Sequence, residues 1–296
     1  MATIWLDRRE RGSLMLLKFM IWLVRCCGRT LTAPLLYPIA GYFVLTSGEA
    51  RLASKDFLAR AYSRPPGWWE VFLHIHCFAT TLLDRVLFFS TSGQDFDVAV
   101  NDPDDLVGRM ERGEGCVLIG AHLGSFDMLR AFTLKRTKVK FKILMRAEHS
   151  QMMTSMLTML DPKIAETLVT IRGVGDVLRL REWIDQGYII ALLGDRAVEK
   201  EQQISVEFLG DKALFPATPI QLASALNAPV YTFFSLYRGG RRYDAHFDLL
   251  AERIELPRRG RSEATAKWLK LYADRLAIYA RQAPYNWFNF FLFWRA

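Results

Sequence analysis

Apolar residues recur at helical spacing over 50–62 and again over 68–89, and Pro65-Pro66-Gly67 separates the two runs. Beyond residue 90 the texture changes. Short apolar runs at 116–121, 141–145, 168–171, 188–193 and 229–235 are bounded by Gly, Asp or Pro, the pattern of strands buried on both faces. Between them, 125–135, 151–160, 175–186 and 219–226 carry helical periodicity. Two further stretches, 206–208 and 243–249, fit strands at a sheet edge, and 262–280 is a long closing helix ahead of an aromatic tail. Strands alternating with helices predict an α/β fold, with a mixed, mostly parallel central sheet flanked by helices.

The first 48 residues differ from the rest. Arg8, Arg9 and Arg11 precede an apolar run over 13–24, Arg25 and Arg29 follow it, and 30–48 is uncharged but interrupted by Pro34 and Pro38. No small-residue cleavage site of a signal peptide stands before the prolines, and a spanning helix needs about 20 apolar residues in a row. Residues 1–48 therefore read as one or two amphipathic or half-inserted helices whose cations face anionic headgroups. A true span and a buried core helix are the alternatives. Residues 49–296 read as one catalytic domain.

Composition sharpens this picture. Hydrophobic residues make up 51% of the chain, which excludes intrinsic disorder. The excess of 39 Lys and Arg over 31 Asp and Glu favours an anionic partner, and the greasy, aromatic ends of the chain turn that preference towards a membrane and away from nucleic acid. Cys26, Cys27, Cys77 and Cys116 lack metal-ligand spacing and form no CxxC, which fits a reducing cytoplasmic setting. The adjacent pair Cys26–Cys27 is apolar filler or a lipidation site.

The sharpest candidate site is Gly120-Ala-His122-Leu-Gly124-Ser125-Phe-Asp127, directly after a buried run. A strand ending in a glycine-containing turn places His122 at the mouth of the sheet, where open α/β folds bind ligands. Asp127, about one helical turn on, is expected to reach back to one imidazole nitrogen and leave the other to take a proton. Backbone amides around Gly124 and Ser125 are candidates for holding a phosphate or an oxyanion. Of five histidines, only His122 has an acidic residue five places on; the spacing alone is weak, and a satisfied loop histidine is the plain alternative. No Gly-x-Ser-x-Gly elbow, third dinucleotide-loop glycine or Walker lysine is present. His74 and His76 read as core or headgroup-facing side chains, Asp102-Pro-Asp-Asp105 as a helix cap, and Trp68-Trp69 as core or interface packing.

A second cluster follows downstream: Leu193-Gly194-Asp195-Arg196, Val206-Glu207-Phe208-Leu209-Gly210, Ala213-Leu214-Phe215-Pro216-Ala217-Thr218-Pro219 and Leu222–Val230. In this order and spacing the chain resembles the lysophospholipid acyltransferase superfamily over about residues 100–250, closest to the branch of the late acyltransferases of bacterial lipid A biosynthesis. The closing Pro284-Tyr-Asn-Trp287-Phe-Asn-Phe-Phe291 is similar to that branch's final aromatic motif. The resemblance maps the family's His-x₄-Asp signature onto His122 and Asp127, where the lipid A enzymes often carry Glu for Asp127. It also makes Asp195 and Arg196 the family's Asp-Arg pair and makes Arg146 the candidate for a second-strand arginine.

The resemblance implies acyl transfer from an acyl carrier protein or coenzyme A thioester to a hydroxyl of a membrane lipid or glycolipid, at the cytoplasmic face of a bacterial inner membrane. It implies no metal and no cofactor beyond the acyl thioester substrate. A thioester is already activated, so a base, positioning and oxyanion stabilisation suffice. Arg146 and Arg196 are the cations for phosphate on donor or acceptor, or partners in ordinary salt bridges. An esterase or thioesterase using the same His/Asp pair on water, and a non-catalytic lipid-binding protein, are the competing readings.

Overall fold

The computed structural model describes residues 22–24, 26, 28–91, 95–129, 139–145, 166–171, 174–197 and 201–294. Helical residues at 28–32 are followed by α1 (Leu36–Thr46), α2 (Gly48–Tyr62) and α3 (Trp68–Thr91). Pro34 and Pro38 do not break α1. Pro34 sits in a 3₁₀ turn, Ala33–Leu35, and Pro38 in the first turn of α1, where no intrahelical N–H is required. At the Pro65-Pro66-Gly67 break, the Gly67 amide donates to Glu70 Oε2 at 2.6 Å, half of a capping box that starts α3.

The rest alternates strands with helices: β1 (Asp97–Asn101), α4 (Leu106–Glu111), β2 (Cys116–Gly124), β3 (Lys140–Met145), β4 (Leu168–Thr170), α5 (Val174–Asp185) and β5 (Tyr188–Leu193). Then come β6 (Gln203–Phe208), β7 (Asp211–Pro216), α6 (Thr218–Leu226), β8 (Val230–Tyr237), β9 (Arg242–Ala251) and α7 (Arg261–Gln282). The helix expected over 151–160 and most of that over 125–135 lie outside the described residues. Asp102 caps α4 as expected, accepting the Leu106 and Val107 amides at 2.8 and 2.7 Å.

Seven strands form one mixed sheet in the order β1-β9-β8-β2-β5-β3-β4, parallel except where β9 runs against β8. Two expectations need correction. Residues 243–249 form no edge, because β1 pairs with β9 and covers it. β1 escaped sequence reading because its five residues are almost all exposed, so burial imposes no apolar pattern on it. Residues 206–208 belong to β6, which pairs only with β7 in a separate hairpin.

Alternation on β2 builds core on both faces. Val117, Ile119, Ala121 and Leu123 join the layer holding α7, α6 and the hairpin, while Cys116 and Leu118 face α4. Each such fully buried aliphatic side chain contributes about 1.5–3 kcal/mol.

The sheet is irregular at one functional place. Gly120 pairs with Phe233 but Gly124 pairs with Ser235, so four residues of β2 are set against two of β8. This bulge frees the backbone around His122 from the flat ladder. It depends on Gly124, whose φ is +70° and whose added Cβ would lie 1.6 Å from the Ser235 carbonyl oxygen.

The N-terminal segment shares the core. Thr32, Leu36, Ala40 and Val44 are buried, and Arg29 Nε donates to the fully buried Asp84 of α3 at 2.7 Å. Tyr243 of β9 donates to the other Asp84 oxygen at 2.9 Å. Burial pushes the Asp84 carboxyl above its ordinary range, against the pull of Arg29, Tyr243 and Arg241. The outer side of α1 is different: Tyr37, Tyr42, Phe43 and Leu45 are exposed. Among the described residues, one helix, α3, is long and apolar enough to cross a membrane, yet 61% of its apolar stretch is buried within the protein.

Removing one partner of a buried ion pair costs about 3–5 kcal/mol, whereas replacing both by apolar groups is often neutral. Arg29→Met is therefore expected to lower the thermal unfolding midpoint in detergent markedly, and Arg29→Met with Asp84→Leu to recover most of the loss. A double variant as unstable as the single one would show that the N-terminal segment is held by something other than this pair.

Candidate active site

The site stands at the carboxyl end of the parallel strands. Gly120 of β2 is paired with Leu193 of β5, and the Gly194 amide donates to the Gly120 carbonyl at 2.9 Å. Two residues past each paired position stand His122 and Asp195. There the carboxylate takes over the ladder: Asp195 Oδ2 accepts the His122 amide at 3.0 Å, and Asp195 Oδ1 accepts from the His122 ring at Nδ1, 2.8 Å away. A third donor is Trp287, whose indole Nε1–H reaches Asp195 Oδ2 at 3.1 Å.

These contacts fix the protonation of both groups. Burial raises the Asp195 carboxyl, but the His122 contacts and the Arg196 charge outweigh it and hold the group down at about 2. An ionised carboxylate only accepts, so Nδ1 carries the imidazole proton and Nε2 the lone pair. The His122 ring is lowered from its ordinary value, by desolvation first and then by the Arg196 and Arg85 cations, against the opposing pull of Asp195. His122 is thus neutral at pH 7. Its side chain keeps 33% of its surface open, whereas Asp195 keeps 1%. The imidazole is reachable, and the carboxylate that holds it is not.

This corrects the expected pairing. The carboxylate on the imidazole is Asp195, and Asp127 instead receives Arg85 Nε of α3 at 2.5 Å. The reason is local: β2 stays extended to Gly124, so the chain has not begun a helical turn when it leaves His122.

Ser125 is also corrected. Its amide donates to the Ser235 carbonyl at 3.0 Å, so it is not available to an oxyanion. Gly124 provides the close approach to β8 described above. Arg196 lies beside the dyad, with its Nη2 on the Phe288 carbonyl and its guanidinium over the Phe291 ring at 5.6 Å. The Arg196 Nε is buried without a hydrogen-bond partner among the described residues. Arg146 lies outside the described residues. Among the described residues, no group of three or more His, Cys, Asp and Glu is placed to hold a metal ion.

The aromatic tail closes the back of the site. Trp287 bridges to Leu123, and the Phe288 amide donates to the His122 carbonyl at 2.8 Å. Behind Trp287, the fully buried His74 contacts the Trp287 carbonyl through Nε2 and Ser54 Oγ through Nδ1, both at 2.8 Å. A carbonyl only accepts, so His74 donates from Nε2 and accepts from Ser54. Desolvation pushes His74 down to about 4 despite the Trp287 carbonyl, so it is a neutral core histidine. His76, two residues on, faces elsewhere and packs on Tyr37 and Phe72.

Arg238, Arg241, Arg242, Arg258, Arg259 and Arg261 stand late in the sequence. β8 runs parallel to β2, so the β8–β9 hairpin carrying Arg238, Arg241 and Arg242 lies at the His122 edge. β9 then returns to the opposite edge. Arg258, Arg259 and Arg261 precede or begin α7, whose 22 residues separate its ends by about 33 Å. Arg238 pairs with Asp244 and Arg241 with Asp95, while Arg242 is exposed.

Comparison with curated proteins gives no significant match. The family model described as bacterial lipid A biosynthesis acyltransferase matches residues 78–295, a wider span than the motifs alone cover. The match runs from the middle of α3 through β2 and β5 to the tail behind Asp195, taking in most of the chain, and the protein therefore belongs to the bacterial lipid A biosynthesis acyltransferase family.

Proposed function

We propose that the protein is a membrane-associated O-acyltransferase that moves a fatty acyl group from an acyl carrier protein or coenzyme A thioester to a hydroxyl of a lipid or glycolipid. The observation that carries this reading is the neutral, accessible His122 held through Nδ1 by the buried Asp195. Nε2 takes the hydroxyl proton as the acceptor oxygen attacks the thioester carbonyl. The tetrahedral intermediate collapses with cleavage of the C–S bond, and the imidazolium returns its proton to the leaving thiolate. Asp195 stays ionised and compensates the transient positive charge on the ring. Arg85, held by Asp127, and Arg196 are the cations within electrostatic reach of His122. They suit an anionic donor arm or headgroup.

The membrane assignment, at the cytoplasmic face of a bacterial inner membrane, draws on residues 1–48 and on a second feature. Trp68 and Trp69, read from sequence as packing, are 58% and 62% exposed at the start of α3. Lys55 and Arg51 lie over the Trp68 ring at 4.6 and 5.4 Å. Exposed tryptophans flanked by cations match an anionic lipid interface.

Three outcomes test this. His122→Ala and Asp195→Asn are each expected to lower kcat by about 10²–10⁴-fold, the scale of general-base loss. Acyl release from a labelled thioester should require the lipid acceptor; release without acceptor identifies a thioesterase. The acid limb of wild-type kcat/KM against pH, set by deprotonation of His122, is expected below about 6.5, the ordinary histidine value, because the ring is lowered in the fold. A limb at or above that value overturns the assigned environment.

Trp68→Ser with Trp69→Ser is expected to weaken binding to phosphatidylglycerol vesicles by roughly tenfold, measured by co-sedimentation. Unchanged binding places the contact wholly within residues 1–48.

Arg242→Glu, at the His122 edge, is expected to raise the KM for an acidic acyl carrier while sparing kcat, and Arg259→Glu to leave both unchanged. An equal effect of the two variants removes the hairpin from carrier docking.

A further inference from the structure

We infer that Trp287 is a positioning residue for the acyl-transfer site, its indole N–H holding the Asp195 carboxylate in the plane that serves His122. This rests on the proposed roles of His122 and Asp195, and extends them to Trp287 of the closing aromatic motif.

The geometry is specific to the N–H. Asp195 Oδ2 is shared by two donors, the His122 amide at 3.0 Å and Trp287 Nε1 at 3.1 Å, which leaves Oδ1 for the ring nitrogen. A carboxylate gripped at Oδ2 from two directions cannot rotate about its own bond, so Oδ1 stays on Nδ1. No other aromatic side chain supplies this contact, since Phe lacks a donor and the Tyr hydroxyl lies at a different distance and angle.

The indole has no freedom to leave. It is 1% exposed and meets Phe57, Phe208 and Phe293 edge-on, with ring centroids 4.8, 5.3 and 5.0 Å away. Its backbone is fixed on both sides. The Trp287 carbonyl accepts from His74, the Phe288 amide donates to the His122 carbonyl, and Asn286 Oδ1 accepts the Tyr237 amide at 2.6 Å. The tail therefore touches both members of the dyad, His122 through its backbone and Asp195 through its side chain. Packing alone would account for a buried tryptophan; it does not account for a donor aimed at the one buried carboxylate that orients the base.

The charge consequence has a definite sign. An N–H on Oδ2 draws off part of the negative charge that the imidazolium would otherwise feel. Without it, the carboxylate pulls harder on the His122 proton, and the free base forms only at higher pH.

The test replaces the N–H and keeps the shape. Site-specific incorporation of β-(3-benzothienyl)alanine at position 287 exchanges the indole N–H for sulfur in a ring of nearly equal size, and Trp287→Phe serves as a second variant. We expect kcat to fall about tenfold, the scale of one hydrogen bond to a charged group, and the acid limb of kcat/KM to move to higher pH. An unchanged rate and limb overturns the inference. So does a slower enzyme whose limb is unmoved and whose midpoint has dropped, since that is packing damage.

A readout without turnover separates this inference from the reading it rests on. In ¹⁵N-tryptophan-labelled protein, the Trp287 indole proton, assigned through Trp287→Phe, is expected to move upfield in Asp195→Asn. A stationary resonance means that the contact is absent. A resonance that moves while Asp195→Asn retains full activity leaves the contact standing, but removes Asp195, and with it Trp287, from catalysis.

Discussion

A carboxylate buried to 1% exposure is tolerable only when its lone pairs are satisfied, and Asp195 meets that condition with three donors taken from two distant parts of the chain. Two come from His122 and one from Trp287. Each of those residues is in turn fixed by the sheet or by the tail. The site is therefore not a loop laid over a scaffold. It is the place where β2, β5 and the C-terminal segment close one hydrogen-bond network, and the net result is a neutral imidazole with one nitrogen committed and the other turned to chemistry.

The same network explains why irregular features gather here. The β2–β8 ladder gives up its register between Gly120 and Gly124, and only glycine fits the close approach to Ser235. Tyr272 of α7 donates to the Gly120 carbonyl at 2.8 Å, tying the closing helix to the strand end just before the bulge. Behind the tail, Ser54 and His74 carry the connection into α2 and α3. These two helices are thus the back wall of the site, and the Arg29–Asp84 pair continues the same wall towards the N-terminus.

Charge is arranged by depth. Buried charges are paired: Asp84 with Arg29, and Asp195 with its donors beside Arg196. Among the surface cations, the β8–β9 hairpin arginines share an edge with His122. Exposed aromatics concentrate elsewhere, on α1 and at the start of α3, next to Arg51 and Lys55. A net charge of +8 is thus spread over separate parts of the molecule.

Much of this was legible along the chain. Apolar runs at 116–121 and 188–193 mark β2 and β5 because a parallel strand covered on both faces needs side chains of one kind throughout. The glycine-flanked His122 just beyond such a run places the base at the sheet mouth, and Leu193-Gly-Asp-Arg196 marks the second strand end. Those signals are local, carried by residues within a few positions of one another. The partner of the base is not local. Asp195 stands 73 residues from His122, and Trp287 stands 92 beyond Asp195, and no periodicity encodes which strand lies beside which. His-x₄-Asp pointed to Asp127 because sequence reading assumed a helical turn after His122, where the chain remains extended. The exposed β1, the free-standing β6–β7 hairpin and the inward face of the tail were hidden for a related reason: each is defined by what it packs against. Sequence by itself determined the fold class, the family and the position of His122, the proposed base, since these follow from short-range pattern. Strand order and register decided that Asp195 stands beside His122 and Trp287 beside Asp195, because only the closing of long loops brings those groups within hydrogen-bond reach.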